Sequence, residues 1–242
     1  MIGWPTSWHN AIIRSELTTL DTQLSEFLNL APPVLIASGA AYLIGSLPLA
    51  DLITKQRSGK SIFSKGTKLA GASNVLRNVG AVPAAMVSIG DLVKGAGTIL
   101  LAERLIGVEG TWLLIPAGAA IFGHWKSLFT GFRGGDGLGT LGGIILAIFP
   151  VFGVISILVA LLITLGGQKM PYTSLLGTVF GYATLVALSI YYDVNIPLTL
   201  GVGGLTGLVL ARALLGHKRR RQVRHWDEPE EYELGIDENS AT

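Results

Sequence analysis

The amino-acid sequence predicts an all-α membrane protein with about seven transmembrane helices, and three observations support this. Half of the 242 residues are hydrophobic, only 14% are charged, and the mean hydropathy is +0.54, which is high for a soluble domain. Apolar stretches of roughly 20 residues, the length that a helix needs to cross a bilayer, recur along the chain. Lysine and arginine are concentrated on one side of the predicted spans. The sequence contains no cysteine, which excludes disulfides, thiolate nucleophiles and sulfur-ligated metals.

Residues 1–29 predict an amphipathic helical extension on the outer side of the membrane. Polar residues such as Asn10, Glu16 and Asp21 alternate with apolar residues such as Leu17 and Leu20. The segment does not resemble a cleaved signal peptide, because no basic stretch precedes an apolar core. We therefore expect this extension to be separate from the membrane domain that follows.

Residues 30–216 predict a membrane domain of seven helices. The predicted spans are bounded by charges, glycine or proline, and they lie at 31–54, 79–106, 111–125, 138–150, 151–168, 172–192 and 196–215. One apolar run, residues 138–167, allows two interpretations. Two short helices that turn near Pro150 give seven spans, whereas one long tilted helix gives six and places both termini on one side.

The positive charges predict the orientation of the chain. In the seven-span interpretation, 15 of the 18 lysine and arginine residues fall in loops on one side of the membrane. Lysine and arginine resist translocation, so this side is predicted to be cytoplasmic. The amino terminus is then outside and the carboxyl terminus inside, where residues 217–242 form a tail that is first basic and then acidic.

The loop before the second span predicts a phosphate-binding segment. Gly71 lets the backbone approach an anion closely, and Ser73 and Asn74 add hydrogen-bond donors. Arg77 can hold a phosphate through two parallel hydrogen bonds, and Lys68 adds a second cation. The alternative is an ordinary basic loop that contacts lipid headgroups.

A glycine-rich loop before the fourth span predicts a second phosphate contact on the same side of the membrane. Gly134, Gly135 and Gly137 lie just before a helix, where exposed amides and the positive end of the helix dipole favour anions. Arg133 adds a cation. The alternative is a flexible interfacial turn anchored by aromatic residues.

Asp91 and Lys94 are charged residues within a predicted transmembrane helix, where a charge needs a partner. They lie three residues apart in the second span, and an unpaired charge at that depth costs several kcal/mol. We expect them to pair with each other or to line a polar cavity. His124 and His217 lie near span ends and are interpreted as interfacial histidines, because no second ligand stands at metal-binding spacing.

These segments together resemble the bacterial acyl-phosphate:glycerol-3-phosphate acyltransferases, the PlsY family, over nearly the whole chain after residue 30. The matches follow the family in order and spacing, and they are Gly45–Pro48 for GSIP, Gly71–Arg77 for GATNVxR, Asp91, Lys94 and Gly95 for DxxKG, Gly123–Thr140 for GHxFPxFxxFxGGKGxAT, and Tyr172 with Ser174 for YxS.

The chain also departs from the family pattern at four places. The SGN that precedes GAT is Thr67, Lys68 and Leu69 here, the Phe-Pro after GHx is Lys126 and Ser127, the lysine of GGKG is Asp136, and HREN is His217, Lys218, Arg219 and Arg220. Asp136 places a carboxylate where the resemblance implies a phosphate. Our hypothesis is that Lys68 or Lys126 offsets this charge.

The resemblance implies that an acyl phosphate donates its acyl group to the sn-1 hydroxyl of glycerol 3-phosphate, giving lysophosphatidate. No metal, no other cofactor and no nucleic acid is implied; the partners are the two substrates and the lipid bilayer of a bacterial inner membrane. Thr67 and His217 are the implied catalytic residues. The implied phosphate-binding residues are Lys68, Ser73, Asn74, Arg77, Arg133, Gly134, Gly135, Asp136, Gly137 and Ser174.

Two other functions stay open from the sequence. The first is a diverged family member that is non-catalytic or uses another donor or acceptor, as Asp136 and the altered SGN suggest. The second is a small membrane transporter, as Asp91, Lys94 and the glycine-rich spans suggest. No inverted repeat is visible in the sequence, which counts against transport.

Overall fold

The computed structural model describes residues 6–167 and 172–226, and this part of the chain is helical, without strands. The helices are α1 (Thr6–Gly45), α2 (Leu49–Ser58), α3 (Ala72–Asn78), α4 (Ala81–Leu100), α5 (Leu114–Trp125), α6 (Leu138–Ile148), α7 (Pro150–Gly166), α8 (Thr173–Tyr191) and α9 (Ile196–Trp226). A π-helical turn, Leu101–Leu105, extends α4. The predicted all-α class is confirmed.

Four helical stretches in the described part are long and apolar enough to cross a membrane. They are Leu28–Ser58, Ala81–Leu105, Thr173–Tyr191 and Ile196–Gly216. The apolar helices α6 and α7 are shorter, and the 11 residues of α6 reach only about 17 Å against a bilayer core of about 30 Å. The number of full crossings and the orientation of the termini therefore stay predictions.

The first predicted span is broken, and the break matters for the site. α1 ends at Gly45 and α2 begins at Leu49, so the predicted helix over 31–54 is wrong as a single element. Pro48 lies in the break, where its missing amide and its ring oppose continuation of a helix. At its other end α1 continues without interruption through residue 29, the predicted end of the extension, so extension and first span share one helix.

The region around Pro150 forms two helices, as the seven-span interpretation required. α6 ends at Ile148, α7 begins at Pro150, and Phe149 between them has a non-helical backbone with φ −126° and ψ 71°. Proline is well suited to the first position of a helix because its fixed φ is helical and its missing amide is not needed there. One long helix over 138–167 is excluded.

Glycine packing brings the central helices together. In the crossing of α4 and α6, a Cβ on Gly95 would overlap the Thr140 carbonyl, and one on Gly143 would overlap the Leu92 carbonyl. The same close approach joins α1 to α5, where a Cβ on Gly45 would overlap the Ala120 carbonyl. Small residues at helix interfaces let two backbones approach closely within a bilayer. These crossings hold α1, α4, α5 and α6 around the site described next.

Candidate functional site

A small cavity lies where the break between α1 and α2 meets α4, the end of α5 and two loops. Its lining consists of Gly45, Ser46, Leu47, Pro48, Leu49, Ala50, Ala70, Asp91, Lys94, His124, Ser127, Arg133 and Gly134. Two lining residues are cations, Lys94 and Arg133, and one is a carboxylate, Asp91. The arrangement therefore favours an anion.

Asp91, Lys94 and His124 form a buried polar cluster on the cavity wall. Lys94 Nζ lies 2.9 Å from Asp91 Oδ1 and donates a hydrogen bond to the Leu47 carbonyl at 3.3 Å. His124 Nδ1 lies 3.7 Å from the same carboxylate oxygen and 3.3 Å from Thr140 Oγ1. The charged pair expected from the sequence thus includes a histidine, and His124, only 6% exposed, is not the interfacial residue that was predicted.

Ser46 contributes a buried hydroxyl to the cavity. Its side chain is fully buried, and its Oγ has no hydrogen-bond partner within the described part of the chain. The Ser46 carbonyl accepts a bond of 2.5 Å from Ser127 Oγ, which ties the helix break to the loop after α5. A buried polar group without a hydrogen-bond partner destabilises the fold, because its bonds to water are not replaced. This hydroxyl is therefore available to a ligand or a water molecule.

Residues 61–71, which we call the Asn74 loop, are held by the Asp51 carboxylate of α2 at Ser61 and Ile62 and by the Asn74 amide of α3 further along. Asn74 Nδ2 donates to the carbonyls of Lys65 and Leu69 at 3.1 and 2.9 Å, and its Oδ1 accepts from the Thr67 amide at 3.2 Å. Asn78 Nδ2 donates to the same Oδ1 at 2.9 Å. Asn74 is 1% exposed and its bonds are directed to the loop, so it shapes the loop; its expected contact with a phosphate stays a prediction.

Residues 126–137, which we call the glycine loop, pack against the end of α5 through close contacts. A Cβ on Gly134 would overlap the His124 carbonyl, and one on Gly135 would overlap the Ala70 carbonyl and His124 Nε2. The Gly135 amide donates to the His124 carbonyl at 3.2 Å, and its predicted contact with an anion stays a prediction. Close packing is the physical reason for glycine at both positions.

The two loops are joined at the cavity. The Ala70 amide donates to the Gly134 carbonyl at 3.2 Å, and the Arg133 guanidinium lies 4.8 Å from the centre of the Phe63 ring. A cation over an aromatic face is attracted by the ring quadrupole. The loops that the sequence predicted to share one side of the membrane therefore meet and enclose one site.

Arg212 of α9 holds the far side of the glycine loop. Its Nε donates to the Gly135 carbonyl and its terminal nitrogen to the Trp125 carbonyl, each at 3.3 Å, and its guanidinium lies 5.0 Å from the centre of the Trp125 ring. Trp125 Nε1 in turn donates to the Asp136 carbonyl at 2.7 Å. Arg212 thus bonds the residue on one side of Asp136, and Trp125 bonds Asp136 itself.

The remaining predicted residues divide into three groups. Lys68, Ser73 and Arg77 are exposed on the Asn74 loop and α3, outside the cavity lining. Ser174 lies in the first turn of α8 and is likewise absent from the cavity lining. His217 falls within α9, but its side chain lies outside the part of the chain that the structure describes.

Sequence reasoning missed Ser46, Ser127 and Arg212. Arg212 was counted only as one of the positive charges that set the orientation. Its position gave a further signal, because it lies four residues before the end of the apolar stretch Ile196–Gly216, where a charge needs a partner. Ser46 was marked by the match of Gly45–Pro48 to the family's GSIP, but an unpaired hydroxyl can be recognised only when its surroundings are known.

The fold defines a helical integral membrane protein, and its cavity is lined by two cations and one carboxylate. A family model described as glycerol-3-phosphate acyltransferase matches residues 35–224. The chain belongs to the glycerol-3-phosphate acyltransferase family.

Named relatives support the family assignment. The chain is 38% identical over 127 residues to glycerol-3-phosphate acyltransferase 1 of Deinococcus radiodurans, covering 52% of this chain and 63% of the relative. It is 40% identical over 124 residues to glycerol-3-phosphate acyltransferase of Bordetella petrii, covering 50% of this chain and 58% of the relative. It thus spans less than two thirds of the length of these two relatives. It is 34% identical over 148 residues to glycerol-3-phosphate acyltransferase of Burkholderia mallei, covering 61% of this chain and 72% of the relative.

Two solved structures are similar to this fold. The crystal structure of PlsY (YgiH), an integral membrane glycerol 3-phosphate acyltransferase, in its glycerol 3-phosphate form matches with a TM-score of 0.67 and 26% identity. The lysophosphatidic acid form of that protein matches with a TM-score of 0.64 and 25% identity. Each match covers 79% of this chain and 93% of the other.

Proposed function

We propose that this protein is a membrane acyltransferase that moves an acyl group from acyl phosphate to the sn-1 hydroxyl of glycerol 3-phosphate. The products are lysophosphatidate and inorganic phosphate. The observation that carries the proposal is the cavity in which Lys94 and Arg133 converge beside the junction of the two loops. Family membership supports the acceptor, since the similar structure named PlsY has a glycerol 3-phosphate form.

The chemistry requires anion binding and positioning more than it requires a strong nucleophile. The sn-1 oxygen attacks the acyl carbonyl, the bond between the acyl carbon and the phosphate oxygen breaks, and the hydroxyl proton leaves with the phosphate. Lys94 and Arg133 stabilise the negative charge that develops as the carbonyl is attacked. Holding both substrates together lowers the barrier further, because the encounter entropy is already lost on binding.

The Ser46 hydroxyl is the proposed donor to a substrate oxygen, because it is buried on the cavity wall without a partner among the described residues. Thr67 and His217 keep their proposed catalytic roles from the family resemblance. Arg77, Ser73 and Ser174 are proposed contacts for the second phosphate-bearing substrate. We also propose that the site faces the cytoplasm of a bacterial inner membrane, as the positive loops indicate.

Purified full-length protein in detergent tests this function. Radiolabelled glycerol 3-phosphate with palmitoyl phosphate should give lysophosphatidate, without added metal and in the presence of a chelator. Palmitoyl coenzyme A and an acyl-carrier-protein thioester serve as donor controls. Product from the thioesters alone would contradict the donor, and no product from folded protein would favour the non-catalytic alternative.

Arg77→Ala tests the predicted contact between Arg77 of α3 and the phosphate of a substrate. Loss of a charge-assisted pair worth roughly 1.5 to 3 kcal/mol should weaken apparent affinity for glycerol 3-phosphate about 10- to 100-fold. The matched control is Arg104→Ala, since Arg104 is an exposed arginine of the turn that ends α4 and pairs loosely with Glu103. An equal, small effect of both variants would remove Arg77 from the site.

A further inference from the structure

We propose that Arg212 is a positioning residue of the anion site, which fixes the glycine loop and keeps the negative charge of Asp136 off the bound phosphate. The inference rests on the proposed function. It concerns a residue of the last helix that neither the sequence pattern nor the family resemblance pointed to.

The contacts of Arg212 are directed at the backbone of the glycine loop and the residue that anchors it. The guanidinium donates to the carbonyls of Gly135 and Trp125, both at 3.3 Å, and lies over the Trp125 ring at 5.0 Å. The planar fork of arginine suits two carbonyls and one aromatic face at once, which the point charge of lysine does not. Arg212 therefore links three elements, α5, the glycine loop and α9.

The glycine loop has no side-chain packing of its own at Gly134 and Gly135 to keep its position. At these two residues the loop contacts its neighbours through backbone atoms, namely the His124 carbonyl and the backbone of Ala70. Glycine gives the backbone freedom that must be restrained from outside. The restraint comes from the Arg212 bond to Gly135 and from the Trp125 bond to the Asp136 carbonyl at 2.7 Å.

The negative charge of Asp136 explains why the residue that restrains the glycine loop should be a cation. Asp136 is next to Gly135, whose neighbour Gly134 lines the cavity, whereas Asp136 itself does not belong to the lining. A carboxylate this close to a phosphate would repel it unless a cation lay nearer. The Arg212 guanidinium bonds the carbonyl of Gly135, the residue adjacent to Asp136, at 3.3 Å, and it is itself absent from the cavity lining. This residue replaces Lys68 or Lys126 as our candidate for offsetting the charge.

A double-mutant cycle between Arg212→Gln and Asp136→Asn tests the proposal, with full-length protein titrated with glycerol 3-phosphate and, separately, with inorganic phosphate. Arg212→Gln should raise the dissociation constant of glycerol 3-phosphate about tenfold in the wild-type background. In the Asp136→Asn background the same change should cost less than about threefold, because the repelling charge is gone. Equal loss in both backgrounds would overturn the proposal and leave Arg212 a purely structural residue.

Asp136→Lys provides a second, independent reading if Arg212→Gln folds poorly. It places two cations side by side on the glycine loop, so the melting temperature should fall by about 3 °C and recover when Arg212→Gln is added. A melting temperature that rises in Asp136→Lys would overturn the proposal. Arg104→Gln is the matched control and should change neither affinity nor melting temperature.

The proposal and the proposed function fail in different ways. Wild-type protein that binds glycerol 3-phosphate with the expected cycle but makes no lysophosphatidate would refute the acyl transfer and support Arg212. Normal turnover with no coupling between Arg212 and Asp136 would refute Arg212 and support the transfer. Where turnover is present, the Arg212→Gln defect should appear in KM for glycerol 3-phosphate and not in kcat. Wild-type protein that binds neither glycerol 3-phosphate nor phosphate would overturn both.

Discussion

The Asn74 loop and the glycine loop form adjoining walls of one cavity, but they are held by opposite means. The Asn74 loop takes its shape from buried polar side chains: Asn74 bonds Lys65, Thr67 and Leu69, and Asp51 bonds Ser61 and Ile62 at the start of the loop. The glycine loop takes its shape from the absence of side chains, which lets its backbone lie against the end of α5. The comparison teaches that a loop can be specified either by hydrogen-bond capacity or by excluded volume.

The two means predict different sensitivities. The Asn74 loop should be sensitive to changes in polarity at one position and tolerant of added volume. The glycine loop should be sensitive to added volume and tolerant of changes in polarity. Four predictions test this difference, from the largest expected effect to the smallest.

Gly134→Ser should break the glycine loop. Its Cβ would overlap the carbonyl of His124, which is backbone and cannot move away, so we expect a loss of more than about 3 kcal/mol in the free energy of unfolding. Thermal unfolding in detergent measures it. The control is Gly71→Ser in the Asn74 loop, where a Cβ meets nothing within 4 Å and serine is a favourable N-cap for α3. Equal effects at both glycines would refute the comparison.

Asn74→Asp should break the Asn74 loop without changing its volume. The new carboxylate can still accept from the Thr67 amide, but its second oxygen would face the carbonyls of Lys65 and Leu69 where Nδ2 now donates. We expect a loss of roughly 2 to 3 kcal/mol in the free energy of unfolding. Asn78→Ala is the control, because Asn78 is exposed, and it should lose at most about 1 kcal/mol. A stable Asn74→Asp variant would show that the loop does not depend on this amide.

Phe63 and Arg133 should couple the two loops weakly. The guanidinium lies 4.8 Å from the ring centre, and such contacts contribute about 0.5 to 1 kcal/mol at exposed sites. A cycle of Phe63→Leu and Arg133→Gln, followed by thermal unfolding, measures the coupling separately from the packing of the ring. Strict additivity would mean that the loops are joined at the Ala70–Gly134 hydrogen bond without help from this pair.

Lys68→Gly should have the smallest effect and should stabilise the Asn74 loop. Lys68 has φ +54°, in the left-handed region that costs a residue with a side chain roughly 1 kcal/mol. Glycine relieves this strain but has more entropy to lose on folding, so the net gain should be only a few tenths of a kcal/mol. The melting temperature should rise slightly. Lys68→Ala keeps the strained backbone and should not share the gain; a lower melting temperature in Lys68→Gly would contradict the interpretation.

Much of the molecule could be predicted because the bilayer imposes a local rule on each segment. Apolar length and bounding charges predicted helices near their observed positions, including the turn at Pro150. The spacing of Asp91 and Lys94 predicted their pairing, since residues three apart share a helix face. The break at Ser46–Pro48 was missed because the surrounding run is apolar enough to read as one helix.

The site residues divide along the same line. Arg133, Gly134 and Lys94 were found because charge or glycine spacing marks them within their own segment. His124 was misjudged because its burial depends on α4 and α6, which supply Asp91 and Thr140 from distant positions. Asn74 was recognised as important, but its role depends on carbonyls whose directions no sequence pattern reveals.

The sequence by itself determined the all-α membrane class, the order of the helices and the presence of two cation-bearing loops, because hydropathy and charge act within each segment. Only the tertiary structure decided which groups meet. It placed His124 beside Asp91, left the Ser46 hydroxyl in the cavity without a partner among the described residues, and brought Arg212 to the glycine loop from 77 residues away. Such contacts depend on how closely the helices approach, and that distance is set where glycine lets one backbone lie against another.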